Sequence, residues 1–188
     1  NSEGTTGLTS KSTSPEILAI NGTAPVISQG PINANTQALD PCPTGHCLDF
    51  SATGLQGQLE AANISTISPS NGISISVWTY NSNLVNGFRR WVELRSSSGS
   101  ELLLRQSETN VVEAVVWSAG NRNWSGPLGT SDHIYESNQL QENVWQHWVL
   151  TYNNLNTMIL YRDGGGMGGQ VFTTTTVDNS PPDGINDI

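Results

Sequence analysis

Short apolar runs that alternate with polar residues recur along the chain after position 47, separated by Asn, Ser and Gly. The clearest run is GISISVWTY, residues 72–80, in which one face would carry Ile73, Ile75 and Val77 and the other Ser74, Ser76 and Trp78. A period of two is the period of a half-buried β-strand. The pattern therefore predicts a strand over this segment.

Similar runs predict further strands, and none of them shows a helical period. They lie at 89–95, 101–105, 110–118, 144–152, 156–164 and 170–177, after an earlier strand that begins at CLDF. The loop SSSGS, which joins the first two, contains Gly and suits a hairpin. Short, regularly spaced strands without helices predict an all-β fold, an antiparallel sandwich or barrel.

The segment WQHWVLTYNNLNTMILYRDG, residues 145–164, is the most strongly patterned part of the chain. In a strand, one face would carry Trp145, His147, Val149 and Thr151, and the other Gln146, Trp148, Leu150 and Tyr152. Both faces are partly apolar, which favours a structural hairpin over a ligand-contacting strip. His147 has no carboxylate at a fixed spacing, so we expect a satisfied, buried or half-buried side chain.

The chain divides into three parts. Residues 1–41 are polar and interrupted by prolines, so they are predicted to form an extended arm with one or two edge strands. Residues 42–177 hold the patterned strands and form the predicted domain, and 178–188 is predicted to be a linker or tail because of Pro181 and Pro182. Within the domain, 118–143 is predicted to be a long irregular loop, a feature that often carries function.

The charge balance excludes one class of partner. Seven Lys and Arg stand against 16 Asp and Glu, which gives a net charge of −9. A nucleic-acid-binding surface needs a basic face, so no nucleic acid is expected as a partner. The sequence has no apolar run of about 18 residues, so no membrane insertion is expected. The acidic balance suits solubility, with calcium or a cationic partner as the alternative.

Cys42 and Cys47 enclose a short loop, CPTGHC, that a disulfide could close, as secreted proteins allow. A metal site that uses His46 is the alternative, although no second ligand cluster accompanies it. Sequons for N-glycosylation occur at Asn21, Asn63 and Asn123. These features are consistent with an extracellular protein, secreted or at the cell surface.

Two groups of residues together resemble a known family. LDFSATG is followed by GISISVWTY, and a Trp, His, aliphatic, Thr, Tyr strand leads through a hairpin to an aliphatic-Tyr-x-Asp-Gly strand. The matching positions of that hairpin are Trp145, His147, Val149, Thr151, Tyr152, Leu160, Tyr161, Asp163 and Gly164. From Leu48 to Gly164 the chain resembles the laminin-G-like, concanavalin A-like jelly rolls. The resemblance implies an antiparallel β-sandwich and a non-catalytic extracellular module for adhesion or for recognition of glycans or proteins.

The chain departs from the family pattern after Gly164. Members of the family continue to closing strands that end in a segment similar to GxIDEVRIY, which this sequence lacks. Incomplete closing strands would leave sheet edges unpaired. The chain could be truncated, residues 1–41 could fill the gap, or a neighbouring subunit could donate a strand. The last possibility gives an alternative function, a structural subunit of an extracellular fibre, sheath or surface appendage that self-assembles by strand exchange.

The long loop supplies the candidate ligand-binding residues. A glycan site needs an aromatic platform beside hydrogen-bonding groups. The loop 118–143 contains Asn121, Arg122, Trp124, Asp132, His133 and Tyr135. There are two alternatives to a glycan site in this loop. Trp124 could simply anchor the loop, or a glycan carried on Asn123 could block the site.

The resemblance also implies that calcium could bind at a sheet rim. The candidate ligands are Asp132, Asp178, Asp183 and Asp187. Solvated turn aspartates are the alternative, and no other cofactor is expected.

Catalysis is not expected. Glucanases that use this type of sandwich place two or three carboxylates at alternate positions of one strand, since glycoside hydrolysis needs a pair of carboxyl groups. Glu93, Glu101, Glu108 and Glu113 do not have that spacing, and the sequence lacks the motifs G-x-S-x-G and H-E-x-x-H. A divergent glycosidase is therefore the weakest of the three functional classes.

Overall fold

The structure is a computed structural model. It describes residues 7–9, 17–21, 26–43, 45–49, 58–60, 72–96, 101–117, 133–153, 157–163, 170–174 and 185–187. Every regular element in these ranges is a β-strand. Among the described residues, no helix has the length and apolar character that crossing a membrane requires.

The strands follow one another along the chain without intervening helices in the described ranges. They are β1 (Gly7–Thr9), β2 (Ile17–Asn21), β3 (Val26–Ser28), β4 (Cys47–Asp49), β5 (Gln58–Glu60), β6 (Ile73–Tyr80), β7 (Arg89–Ser96), β8 (Glu101–Glu108), β9 (Val111–Trp117), β10 (His133–Ser137), β11 (Trp145–Tyr152), β12 (Met158–Arg162), β13 (Gln170–Thr174) and β14 (Ile185–Asp187).

Two antiparallel sheets form the body of the fold. One has five strands in the order β10-β9-β8-β7-β14, and the other has four strands in the order β13-β12-β11-β6. The strands predicted from alternation between positions 72 and 177 correspond to β6 to β9 and β11 to β13. The prediction of an all-β, antiparallel sandwich of the jelly-roll type is confirmed.

One apolar layer fills the space between the two sheets. Its buried members from the five-stranded sheet include Leu94, Leu102, Leu104, Val112, Val116 and Ile134, and those from the four-stranded sheet include Ile75, Trp148, Leu150, Met158 and Leu160. Trp91 stacks on Trp148, with ring centroids 5.8 Å apart. A register shift in β7 between Arg90 and Val92 lies at this point, and such β-bulges re-aim a side chain.

Strand β11 shows how alternation builds this layer. Its side chains are alternately half-buried and buried from Trp145 to Tyr152. The buried face holds Trp148 and Leu150, which belong to the core, and the half-buried face holds Trp145 and His147. The predicted division of β11 into two faces is confirmed, and one of those faces lies in the core.

Strand β8 differs from β11 because it is buried along both faces from Glu101 to Ser107. On its outer side, Arg105 forms an ion pair with Glu113 of β9 at 2.6 Å and lies 4.7 Å from the ring centroid of Phe88. Glu101 pairs with Arg95 of β7 at 3.1 Å. Burial of a charge is tolerated when the charge is paired. These pairs therefore allow ionised side chains to be buried on the outer side of the five-stranded sheet.

The N-terminal part forms two small sheets. Strand β2 pairs with β1 and β5, and β3 pairs with β4. The predicted disulfide between Cys42 and Cys47 is present, which removes the metal alternative for these two thiols. The predicted boundary at residue 42 stays a prediction, although β2 and β3 before it pair with β5 and β4 after it.

Residues 29–43, which we name the strap, lead from β3 past one end of the sandwich. Asn33 Nδ2 donates to the backbone oxygen of Asn143 at 3.1 Å, and the indole N–H of Trp145 donates to the backbone oxygen of Asp40 at 3.3 Å. Cys42 is buried at the end of the strap. The strap is thus held on the sandwich at both a loop and a strand.

Two predictions of irregular structure are corrected. The predicted loop 118–143 contains β10, which pairs with β9, and the predicted tail 178–188 contains β14, which pairs with β7. Both strands lie at edges of the five-stranded sheet. An edge strand has one neighbour and needs less apolar alternation than a central one. β14 also pairs with β7 and covers that side of the strand. With incomplete closing strands, we had expected unpaired sheet edges.

Replacing Leu150 with Ala should lower the free energy of unfolding by about 2–5 kcal/mol, because it leaves a cavity in the apolar layer. Leu150 is fully buried, whereas Val171 of β13 is 49% exposed. Val171→Ala is therefore the control, with an expected change within about 0.5 kcal/mol. Urea denaturation followed by tryptophan fluorescence measures both changes, and equal effects would contradict the placement of the core.

Glu136 gives the stability a pH dependence with a defined sign. It lies on the edge strand β10, opposite Val112, whose side chain is in the core. Burial raises the pKa of the Glu136 carboxyl above its ordinary value. Ionisation therefore favours the unfolded chain, and stability is lost as the pH rises from the unfolded pKa through the raised folded pKa.

Glu136→Gln should accordingly raise the melting temperature near neutral pH and leave it unchanged at about pH 3, where the carboxyl is protonated in both states. Calorimetry at the two pH values measures the difference. Stabilisation of the same size at both pH values would show that burial of the charge is not the cause.

Candidate functional site

The outer side of the four-stranded sheet presents aromatic side chains from β6 and β11. Because the two strands are antiparallel, their outward residues lie opposite each other: Ser76 opposite Val149, Trp78 opposite His147, and Tyr80 opposite Trp145. We refer to Ser76, Trp78, Tyr80, Trp145 and His147 together as the aromatic face.

Trp78 and His147 form the centre of the aromatic face. Their rings stack with centroids 4.6 Å apart and planes inclined by 18°. His147 Nε2 lies 2.8 Å from Ser76 Oγ, so the imidazole is fixed by a hydroxyl as well as by the stack. Trp78 nevertheless remains 43% exposed. The arrangement leaves part of an oriented indole ring in contact with solvent.

Asp163 fixes the backbone of His147 from the end of β12. Its carboxylate Oδ1 accepts from the N–H of His147 at 3.0 Å, and its own N–H donates to the His147 oxygen at 2.8 Å. Asp163 has a φ of 50°, a left-handed conformation that Asp tolerates better than most residues. The turn therefore places a carboxylate beside the aromatic face.

The strap limits the aromatic face at its other end. The rings of Tyr80 and Trp145 have centroids 5.3 Å apart, and the Trp145 indole is bonded to Asp40 of the strap. Burial raises the pKa of the Tyr80 hydroxyl, and the charge of Asp40 raises it further. Trp78 is consequently the open part of the face, and the Tyr80–Trp145 pair is the part held by the strap.

Ser76 and His147 are in contact, but Asp163 does not orient the imidazole as the third group of a hydrolase triad would. A serine nucleophile needs a base that is itself oriented by a third group, and donors for the oxyanion. Asp163 binds the backbone amide of His147 rather than its imidazole. An exposed aromatic ring beside hydroxyl, imidazole and carboxylate groups instead suits binding of a ligand that has apolar and hydroxyl-bearing sides.

Of the ligand residues predicted in the loop 118–143, Tyr135 can be placed in full. It lies on β10, opposite Glu113 of β9, and so belongs to the other sheet. Burial raises the pKa of the Tyr135 hydroxyl, and a side-chain hydrogen bond to Glu108 raises this pKa further. The Tyr135 hydroxyl thus serves a contact within the fold, away from the aromatic face.

The other predicted ligand residues are not placed at a site. His133 begins β10, where its backbone pairs with Val115. Outside the described residues lie Asn121, Arg122, Trp124 and Asp132. Their role in binding stays a prediction.

Calcium binding also stays a prediction. Asp187 lies in β14, and the candidate ligands outside the described residues are Asp132, Asp178 and Asp183. Within the part of the chain that the structure describes, no group of three His, Cys, Asp or Glu residues is placed to hold a metal ion.

The sequons are likewise untested as glycosylation sites. Asn21 lies in β2, where its backbone pairs with Gln58 of β5. Asn63 and Asn123 are outside the described residues.

The sequence analysis did not predict the aromatic face, although alternation within each strand groups some of its residues. Alternation places Ser76 with Trp78 and, separately, Trp145 with His147. The two sets meet only through the register of β6 against β11, which joins Ser76 to His147 across 71 positions of the chain. Alternation within a strand carries no information about that register.

Comparisons with known proteins identify the family. No curated protein and no solved structure matches the chain. A laminin-G family model, described as the concanavalin A-like lectin/glucanases superfamily, matches residues 53–185. The matched range begins before β5 and ends in β14, so it includes both large sheets. With this match and the two-sheet sandwich, the chain belongs to the laminin-G-like branch of the concanavalin A-like lectin/glucanases superfamily.

Proposed function

We propose that this protein is a non-catalytic, extracellular recognition module that binds glycans through the aromatic face. The observation that carries the proposal is Trp78, which is 43% exposed on a strand rather than on a loop. Its stack with His147 fixes its orientation. A large aromatic ring that is both rigid and exposed is typical of a binding surface.

The chemistry of the aromatic face suits a sugar. A pyranose ring has a face of C–H bonds that can pack on an indole, and hydroxyl groups around its edge. Ser76 Oγ and the carboxylate of Asp163, whose side chain is 44% exposed, lie beside the Trp78–His147 stack. Few but fixed polar groups around an apolar platform are the usual composition of a small-ligand site.

The ion pairs of the other sheet support a non-catalytic role. Hydrolysis of a glycosidic bond requires two carboxyl groups that flank that bond. Glu113 is paired with Arg105, and Glu101 with Arg95. Glu93 bridges Arg90 and Arg95. These carboxylates are engaged with guanidinium groups and lie on a different sheet from the aromatic face.

An extracellular location is supported by the family and by the disulfide. Laminin-G-like domains are commonly extracellular, and the disulfide between Cys42 and Cys47 suits an oxidising compartment. Adhesion, in which a bound glycan or protein belongs to another cell or to the matrix, is part of the same proposal.

A structural subunit of a fibre, sheath or appendage remains the second candidate function. In the described part of the arm, however, the strands pair within the chain, β2 with β5 and β3 with β4. Strand exchange between subunits would have to use other edges. The recognition function is therefore the better supported of the two.

Trp78→Ala should weaken glycan binding by roughly 30-fold, or about 2 kcal/mol, because it removes the platform on which the sugar ring packs. A glycan array identifies a bound glycan, and titration calorimetry with that glycan gives the change in affinity. Thermal unfolding checks that the variant is folded.

Phe88→Ala is the matched control for this measurement. Phe88 is 60% exposed and lies against Arg105 of the other sheet, so its loss should leave glycan affinity within about twofold of the wild type. Equal losses in the two variants, or none in Trp78→Ala, would rule out the aromatic face as the binding surface.

A further inference from the structure

We infer that the aromatic face selects neutral glycans and excludes glycans that carry sulfate or carboxylate groups. The inference rests on the proposed function, and it names the class of ligand that the same surface accepts. Three observations carry it: the placement of the arginines, the side chains at the outward positions of the sheet, and the carboxylates that border the aromatic face.

Four of the five described arginines bond to partners outside the aromatic face, and the fifth, Arg162, lies beside Asp163 at its border. Arg and Lys are the side chains that bind sulfate and carboxylate groups by charge-assisted hydrogen bonds. In this chain the arginine partners are the Asn83 oxygen for Arg89, Glu93 for Arg90 and Arg95, Glu113 for Arg105, and Gln139 for Arg162. Arg122 and Lys11, the other two cationic residues, lie outside the described residues.

Arg162 ends β12 and lies next to Asp163 at the border of the aromatic face. Its Nε is 3.5 Å from Asp163 Oδ2, but its side chain is only 13% exposed. It also donates twice to Gln139, at 2.8 Å to the side-chain oxygen and at 3.1 Å to the backbone oxygen. A guanidinium group held in this way is not available to an anionic ligand.

The outward positions of β6, β11 and β12 carry no Arg or Lys. On β6, β11 and β12 they are occupied by Ser74, Ser76, Trp78, Tyr80, Trp145, His147, Val149, Thr151, Ile159 and Tyr161. The one imidazole among them is that of His147, whose Nε2 already contacts Ser76 Oγ. An anionic group placed over Trp78 would therefore find no arginine or lysine partner on these strands.

Carboxylates border the aromatic face on both sides. Asp163 lies beside His147, and Asp40 lies beside Tyr80 and Trp145. Asp40 repels an anionic ligand at short range, whereas Arg162 at 3.5 Å partly offsets the charge of Asp163. The net charge of −9 acts in the same direction as Asp40. A neutral sugar hydroxyl, in contrast, can donate to a carboxylate oxygen. The charges around Trp78 thus match a ligand that donates hydrogen bonds and carries no negative charge.

The test compares each neutral polysaccharide with its own sulfated derivative. Dextran, xylan, mannan and galactan, each in both forms, are used in affinity electrophoresis with the wild-type protein. At least one neutral chain should retard the protein, and its sulfated derivative should bind at least tenfold more weakly. Trp78→Ala should lose the retardation and Phe88→Ala should keep it.

A gain-of-binding variant tests the cause of the selection. Ser74 is exposed on the outer side of β6, four positions from Trp78. Ser74→Lys adds a cation there, so binding of the sulfated derivative should tighten about fivefold at low salt and lose this gain at high salt, since ions screen surface charges. Affinity for the neutral chain should stay within about twofold.

The outcomes separate the two proposals. If a sulfated derivative binds the wild type as tightly as the neutral chain, and this binding is lost in Trp78→Ala, the selection of neutral glycans is wrong and the glycan-binding function stands. If no chain of the panel binds in a Trp78-dependent way, the proposed function fails and the inference fails with it.

Discussion

The burial of one apolar layer between two sheets determines which side chains this protein presents to a partner. Successive residues of a strand point to opposite sides, so each side chain placed in the core turns its neighbours outward. In β11, burial of Trp148 and Leu150 leaves His147 and Val149 on the outer side. A register shift of one residue would reverse all of these positions at once. The aromatic face is therefore a direct consequence of the core.

The same constraint makes the aromatic face rigid. Trp78 and His147 are opposite residues of the paired strands β6 and β11. Because β11 also carries Trp148, it cannot move without disturbing the packing of Trp148 against Trp91. The strap adds a second restraint at Trp145. A recognition surface on strands loses little conformational freedom when it binds, because its side chains are already ordered. Trp78 is the exposed ring of this face, between the strap and Asp163.

Most of the fold could be predicted from the sequence because central strands need strong alternation, as in Ile73, Ile75 and Val77. The edge strands β10 and β14 were missed because one neighbour suffices to hold them. His147 was correctly expected to be half-buried and satisfied, since Ser76 and Trp78 contact it. The binding role of the residues predicted in the loop 118–143 stays a prediction, and the site proposed on β6 and β11 joins residues that lie far apart in the sequence. Contacts across the register of distant strands arise in three dimensions, and no local pattern encodes them.

The most direct test of this account is an NMR titration that follows the indole N–H signals of the six tryptophans while a bound neutral glycan is added. The account predicts a saturable shift of the Trp78 signal, with those of the core residues Trp91 and Trp148 unchanged. A glycan that binds and shifts other signals while the Trp78 signal stays in place would contradict the assignment of the aromatic face as the recognition surface.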